Sequence, residues 1–442
     1  MKIPRLFTKE TALRAAIGAV LLAVTPGAAL AEVSIYDNNG WSIAFDGRTA
    51  GFYSYEFGDS TPHQANGQPS TGGLIWTGFT NQPDQDPAMC AMGGFANGKP
   101  CTFTTSRIHS GFVGNIFGFT ARHKISENLT ATGRIALWWP IETDQYRGFS
   151  SMSPDPRESY AKLEGPWGNV LFGRTLGLHD RGSTLVDYYY ADGSSIGSPC
   201  NVTQQGPLCG HIGYGYQFPG YNAGIIYSTP LVSGFQLSAG IYDPVRIGLS
   251  GVLLSSLSYP RVESEATYTL KGDRLFVTLF ANGMWQQAKG FVTDAAGANA
   301  PLTANAYGVS GGGRIEFAGF KLGAGTNFDV GGGDLSGLVG DVPIDRAGKL
   351  RHVKGYMVQA MYSMASWDFS AGAGETLVQE TADDVTRGLS VIKTRLGANG
   401  TINYRLDSSV VLNAQYFRAQ HVFWLGEKQA LNFIHGGMTF TW

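Results

Sequence analysis

The sequence predicts an all-β fold, one antiparallel β-barrel of about sixteen strands, and four observations predict it. Charged residues make up only 15% of the chain, against about 25% in a typical globular protein. Glycine, at 61 of 442 residues, is used about twice as often as usual, and aromatics reach 12%, a balance that favours strands and tight turns over helices. Apolar and polar residues alternate along most of the chain after residue 31, with no sustained helical period. The connections between the alternating stretches are short and long in turn.

The first 31 residues stand apart. Lys2, Arg5, Lys9 and Arg14 make a basic start, "AAIGAVLLAVTPGAAL" is a short apolar run, and "ALA" at 29–31 offers small residues at the two positions a signal peptidase reads. Residues 1–31 are therefore expected to be a secretory signal peptide, cleaved after Ala31. Loss of its four basic residues and of Glu10 takes the net charge from −2 to −5. A near-neutral to acidic chain gives no electrostatic reason to expect a nucleic-acid partner. Export also suits the four cysteines. Cys90 and Cys101 bracket one Gly- and Pro-rich loop, Cys200 and Cys209 another. Local pairing, 90–101 and 200–209, is the expected arrangement among the three possible ones.

The strands follow from parity. In "KTRLGANGTINYR" (393–405) one parity holds Lys393, Arg395, Asn399, Asn403 and Arg405, and the other holds Leu396, Ala398, Ile402 and Tyr404. Successive strand side chains point to opposite faces, so one strand meets two environments. Residues 41–57 put Trp41, Ile43, Phe45, Tyr53, Tyr55 and Phe57 opposite Asp46, Arg48, Ser54 and Glu56. Residues 129–139, 261–270 and 319–330 repeat the pattern. Sixteen such stretches are expected at about 41–57, 105–122, 129–141, 157–164, 169–174, 220–229, 235–242, 261–270, 274–285, 305–318, 319–330, 353–364, 366–377, 391–405, 408–420 and 431–442.

Amphipathic strands can line a soluble sandwich or a membrane barrel. Many of these reach about ten residues, the length that crosses a bilayer at a tilt. Aromatics gather at strand ends (Trp41, Tyr55, Phe57, Trp138, Trp139, Tyr404), as in an interfacial girdle. Both features favour a transmembrane barrel with apolar residues toward lipid and polar ones toward a water-filled lumen. A mean hydropathy of −0.07 is too polar for a bundle of transmembrane helices.

The segment "RESYAKLEGPWGNVLFGR" (157–174) resembles the strand, tight turn and strand that precede the third loop in the general trimeric porins of Gram-negative outer membranes. "DGRTAGFYSYEFGD" (46–59) resembles that family's first strand, and the closing "NFIHGGMTFTW" its last. The resemblance implies a barrel over residues 32–442, set in outer-membrane lipid as a homotrimer and passing ions and small hydrophilic solutes by passive diffusion. It implies that the third loop, 175–219, folds inward and narrows the pore. On that pattern Asp180, Asp187 and Asp192 would face a basic ladder of Arg48, Arg107, Arg134 and Arg174. Phe440 and Trp442 would close the barrel and carry the signal that outer-membrane assembly machinery reads. The chain is longer than the usual members, with much of the excess in the first and third loops, which carry the cysteines.

No P-loop, H-E-x-x-H or G-x-S-x-G motif occurs. No cofactor and no metal site is expected: "NQPDQDP" (81–87) reads as a solvated turn rather than a Ca²⁺ loop. His109 and Ser110 are neighbours on a strand, hence on opposite faces, and do not form a dyad. A substrate-selective channel for sugars or an anion, and a structural or adhesive barrel, are the alternatives to general diffusion.

Overall fold

A computed structural model describes residues 32–59, 95–96, 99–100, 102–112, 114–142, 154–191, 197, 208–249, 252–293, 299–332 and 343–442. The chain forms β1 (Val33–Asn38), β2 (Trp41–Asp59), β3 (Phe95–Ala96), β4 (Lys99–Pro100), β5 (Thr102–His109), β6 (Asn115–Ser126), β7 (Leu129–Trp139), β8 (Asp155–Gly165) and β9 (Gly168–Leu176). It continues through β10 (Tyr221–Ser228), β11 (Phe235–Tyr242), β12 (Ile247–Leu249), β13 (Val252–Ser256), β14 (Arg261–Lys271), β15 (Leu275–Thr293) and β16 (Asn299–Phe317). The last six are β17 (Phe320–Val330), β18 (His352–Met364), β19 (Trp367–Val378), β20 (Ile392–Arg405), β21 (Val410–Phe423) and β22 (Lys428–Thr441).

Each strand pairs antiparallel with the next around the wall, and β22 returns to pair with β2 from Thr441 opposite Arg48 to Leu431 opposite Gly58. The sheet is thereby closed. β5 and β6 both pair with β2 and together make one wall strand, so the barrel has sixteen. Closure satisfies the backbone of every wall strand inside the sheet, which a bilayer requires.

Burial follows the parity read from sequence. Along β2, Tyr53 and Tyr55 face outward and are exposed, whereas Asp46, Arg48, Ser54 and Glu56 face inward and are buried. Two inward features differ from expectation. Trp138 does not join an outer girdle: it points inward and is buried, with the Arg157 guanidinium 4.5 Å from its ring centre. Phe52, Phe417 and Phe433 also point inward and are fully buried. Material inside the barrel covers them.

Five strands, β1, β3, β4, β12 and β13, have no counterpart in the expected strand list. β1 folds back on β2 through Asn39 and Gly40, both at positive φ (52° and 76°), the turn that suits strand twist in a hairpin. The second wall strand is interrupted between His109 and Asn115. β15 runs eight residues past its expected end, β16 begins six residues before its expected start, and the two stay paired to Thr293 and Asn299. β12 and β13 pack beside them, and Ile247, Leu254, Met284, Ala288, Ala304, Ala306 and Ile344 form a small apolar core there. Among the described residues no helix is long and apolar enough to cross a membrane.

Candidate functional site

The chain between β9 and β10 turns into the barrel and crosses it. The turn is set by Glu263 on β14, whose carboxylate accepts from the backbone N–H groups of Leu178 (2.6 Å) and His179 (3.1 Å). Two short helices follow, Arg181–Val186 and Tyr188–Ala191. Arg181 pairs with Glu265, also on β14. The chain returns at Leu208, whose N–H donates to the Ser110 carbonyl at 3.0 Å in the interruption between β5 and β6.

Asp187 organises the crossing. Its fully buried carboxylate accepts from Tyr189 N–H (3.0 Å), His211 N–H (3.1 Å), the Tyr216 hydroxyl (2.9 Å) and Gln359 Nε2 (3.2 Å). Burial alone would raise its pKa; the nearby His211 and the hydrogen bonds outweigh burial and hold it below the usual carboxylate value. Gln359 on β18 also accepts from Tyr188 N–H at 2.9 Å, so one wall side chain holds both sides of the helix junction. Further ties run from Gly215 N–H to Thr376 on β19 (3.0 Å), from Tyr189 to Thr401 on β20 (3.2 Å) and from Tyr214 to His421 on β21 (2.9 Å). The loop is fixed at both sides of the lumen.

At the root of the loop, His179 Nε2 lies 2.7 Å from Asp329 on β17 and 3.7 Å from Asp180. Burial opposes charge on His179, but Asp180 and Asp329 outweigh it and raise its pKa to about 9. Burial likewise raises the Asp180 carboxyl, against the pull of His179.

The expected basic ladder is distributed differently from a simple row facing the loop. Arg134 donates to Asp46 (2.6 and 3.0 Å), to Glu158 (3.0 Å) and to the Thr120 hydroxyl (2.9 Å), all on its own wall. Arg174 donates to the Tyr221 carbonyl at 3.2 Å and pairs with Asp155 at 3.4 Å. Arg48 and Arg107 point inward and are buried, Arg48 toward Tyr190 of the loop. Asp187 serves the loop's own fold and Asp180 faces His179; Asp192 lies outside the described residues. Cys209 is disulfide-bonded, and Cys90, Cys101 and Cys200 lie outside the described residues, as do residues 1–31 and 81–87.

A cavity of about 270 Å³ opens where the loop meets the wall, lined by Arg157, Arg174, Arg261, Asp155, Glu263 and His179 among others. Glu263, Glu265 and Gln359 are not among the site residues expected from sequence. Glu263 and Glu265 share the polar parity of β14 with Arg261, a visible signal; their partners 84 or 85 residues away are not.

A family model for Gram-negative porins matches residues 18–418. No curated protein matches the chain. Among solved structures, the outer-membrane channel DcaP of Acinetobacter baumannii is similar at 14% identity and a TM-score of 0.64, over 93% of this chain and 100% of that one. The anion-selective porin from Comamonas acidovorans gives 12% and 0.56, over 91% and 100%. Salmonella typhi OmpF, solved with daunomycin, gives 13% and 0.52, over 93% and 100%. These likenesses match the closed barrel, and the family match spans most of the chain. With its polar inward face and apolar outward face, the chain belongs to the Gram-negative porin family and forms an outer-membrane channel for small solutes.

Proposed function

We propose that this barrel is a trimeric porin through which ions and small hydrophilic solutes pass by passive diffusion, the crossing loop setting the narrowest point. The observation that carries the reading is the loop's attachment: it is held on β14 at its root and on β18 to β21 at its far side. A fixed crossing segment in a water-filled tube with low-dielectric walls defines both the free cross-section and the charges a permeating ion meets. The reading includes no enzymatic step. His109 bonds Glu56 at 3.0 Å and Ser110 bonds Glu142 at 2.9 Å, so the two serve separate partners.

A second reading, an anion-preferring channel, is favoured by the three arginines around the cavity. Conductance of the purified protein in a planar bilayer, with reversal potential in a salt gradient, tests both. Absence of conductance overturns both readings. A reversal potential near zero supports general diffusion, and a strong anion preference supports the second reading. The local pairing of Cys200 with Cys209 is proposed too, to be checked by peptide mapping without reduction.

A further inference from the structure

His179, Asp180 and Asp329 come together at the loop root from two distant parts of the chain, with one potential ligand atom of each within 4.8 Å of the others. Asp329 stands on β17, and Asp180 precedes the helix Arg181–Val186. The backbone makes room for this meeting at Gly308 on β16: a Cβ there would lie 2.0 Å from Asp329 Oδ1 and 2.6 Å from His179 Nε2.

Asp180 supplies an independent observation. Its side chain is fully buried, and neither carboxylate oxygen accepts a hydrogen bond from any described residue. It sits at the N-cap position with φ 58°, yet its side chain makes no capping bond to the helix. Ser310 and the Gln217 backbone lie near it without hydrogen-bond geometry, and the Ser310 hydroxyl is already given to Asn282 at 3.1 Å. A buried carboxylate without a donor is costly, and such a group calls for a proton or an ion.

We propose that His179, Asp180 and Asp329 bind one divalent first-row transition-metal ion, which fastens the crossing loop to the barrel wall. One imidazole nitrogen and two carboxylates suit Zn²⁺, Co²⁺ or Mn²⁺ better than Ca²⁺ or Mg²⁺, which need more oxygen ligands, and no thiolate is present to favour Cu⁺. Binding releases the His179 Nε2 proton to solvent, and two carboxylates and the neutral imidazole around a divalent ion then make a buried ensemble with no net charge. Asp329 has the outer support that ligands need: its other oxygen accepts from Asn327 Nδ2 at 2.6 Å. His179 lines the 270 Å³ cavity, which gives an ion from solution a way in.

The test is equilibrium dialysis of the purified, folded barrel protein against Zn²⁺, with Ca²⁺ and Mg²⁺ as competitors. One Zn²⁺ per chain is expected, unaffected by a hundredfold excess of either competitor, with affinity reduced at least tenfold in Asp329→Asn and in His179→Gln. Zinc-edge absorption on the wild-type protein, which needs no variant, should show one imidazole among oxygen ligands. Lack of stoichiometric Zn²⁺, retention of Zn²⁺ in both folded variants, or a spectrum with several imidazoles or sulfur overturns the proposal. These readouts are independent of conductance, so a failed diffusion reading and a failed metal site are distinguishable.

Discussion

The indole of Trp442 lies over Gly47, where a Cβ would come within 2.0 Å of the ring. The two residues also exchange backbone hydrogen bonds, at 2.9 and 3.0 Å. They face each other across the seam that closes the barrel. Any side chain at position 47 must displace the indole, and overpacking of this kind costs about 1–3 kcal/mol. Gly47→Val is therefore expected to lower the amount of folded protein in the outer membrane several-fold, read by heat-modified migration on gels. In a Trp442→Ala background the same substitution should cost much less, because the two sites are coupled. Equal effects in the two backgrounds would remove the packing explanation.

Deletion of Phe440–Trp442 takes away more than the indole. It removes the pairing of Phe440 and Thr441 with Thr49 and Arg48, and of Phe440 with Val410. Outer-membrane levels should fall at least tenfold in a cell-fractionation assay. Normal insertion and conductance of the truncated chain would count against a role for these residues in closure.

Gln359→Ala should loosen the crossing loop from the wall. The change removes the acceptor for Tyr188 N–H and a donor to Asp187, both buried, at a cost of about 1–3 kcal/mol for the groups left unpaired. The expected result is larger and noisier single-channel conductance with the barrel itself intact. Unchanged current noise would mean that the other ties suffice.

The Asp187 carboxyl is held below its ordinary value, so its sign is that of a group stabilised as the anion. Its contribution to loop docking is complete above the unfolded carboxylate value of ~3.9 and is lost as pH falls through the lower folded value. The part of the conductance that depends on Asp187 should hold steady from pH 7 to about 4 and change only below that. Asp187→Asn should already show, at pH 7, part of the disorder that acid produces in the wild type. A transition centred near pH 6 would point to a different group.

Arg134→Met leaves Asp46 and Glu158 facing the lumen without their shared cation. The reversal potential should move toward cation preference, by an amount that salt screening reduces. A shift toward anions would contradict this arrangement of the wall.

The wall was legible because its chemistry is repetitive. Each strand separates lipid from lumen, so parity alone predicts β17 or β20 within a few residues. The same logic explains where reading failed. The continuation of β15 and β16 carries Gln286, Gln287, Ala288 and Ala304, with no strict alternation, because beyond the bilayer no outward apolar face is required. Trp138 and Phe433 point inward because the crossing loop offers them an apolar surface, and nothing local to either residue announces that loop. Asn39–Gly40 is a hairpin signal lying just before the expected first strand at 41, and β1 is the strand it joins to β2. The loop's anchors were invisible for a simpler reason. Asp187 and Gln359 are 172 positions apart, and periodicity carries no information at that range.

β1 and β22 share one edge of β2. Trp442 ends opposite Gly47, and Val33 already stands opposite Phe45 two positions further on. A peptide tag fused after Trp442 would therefore have no track to follow: its second residue would reach the position Val33 holds. Purification handles and labels belong in the outer loops, and a chain lengthened at its C-terminus must either peel β1 from the sheet or leave the barrel wall at once.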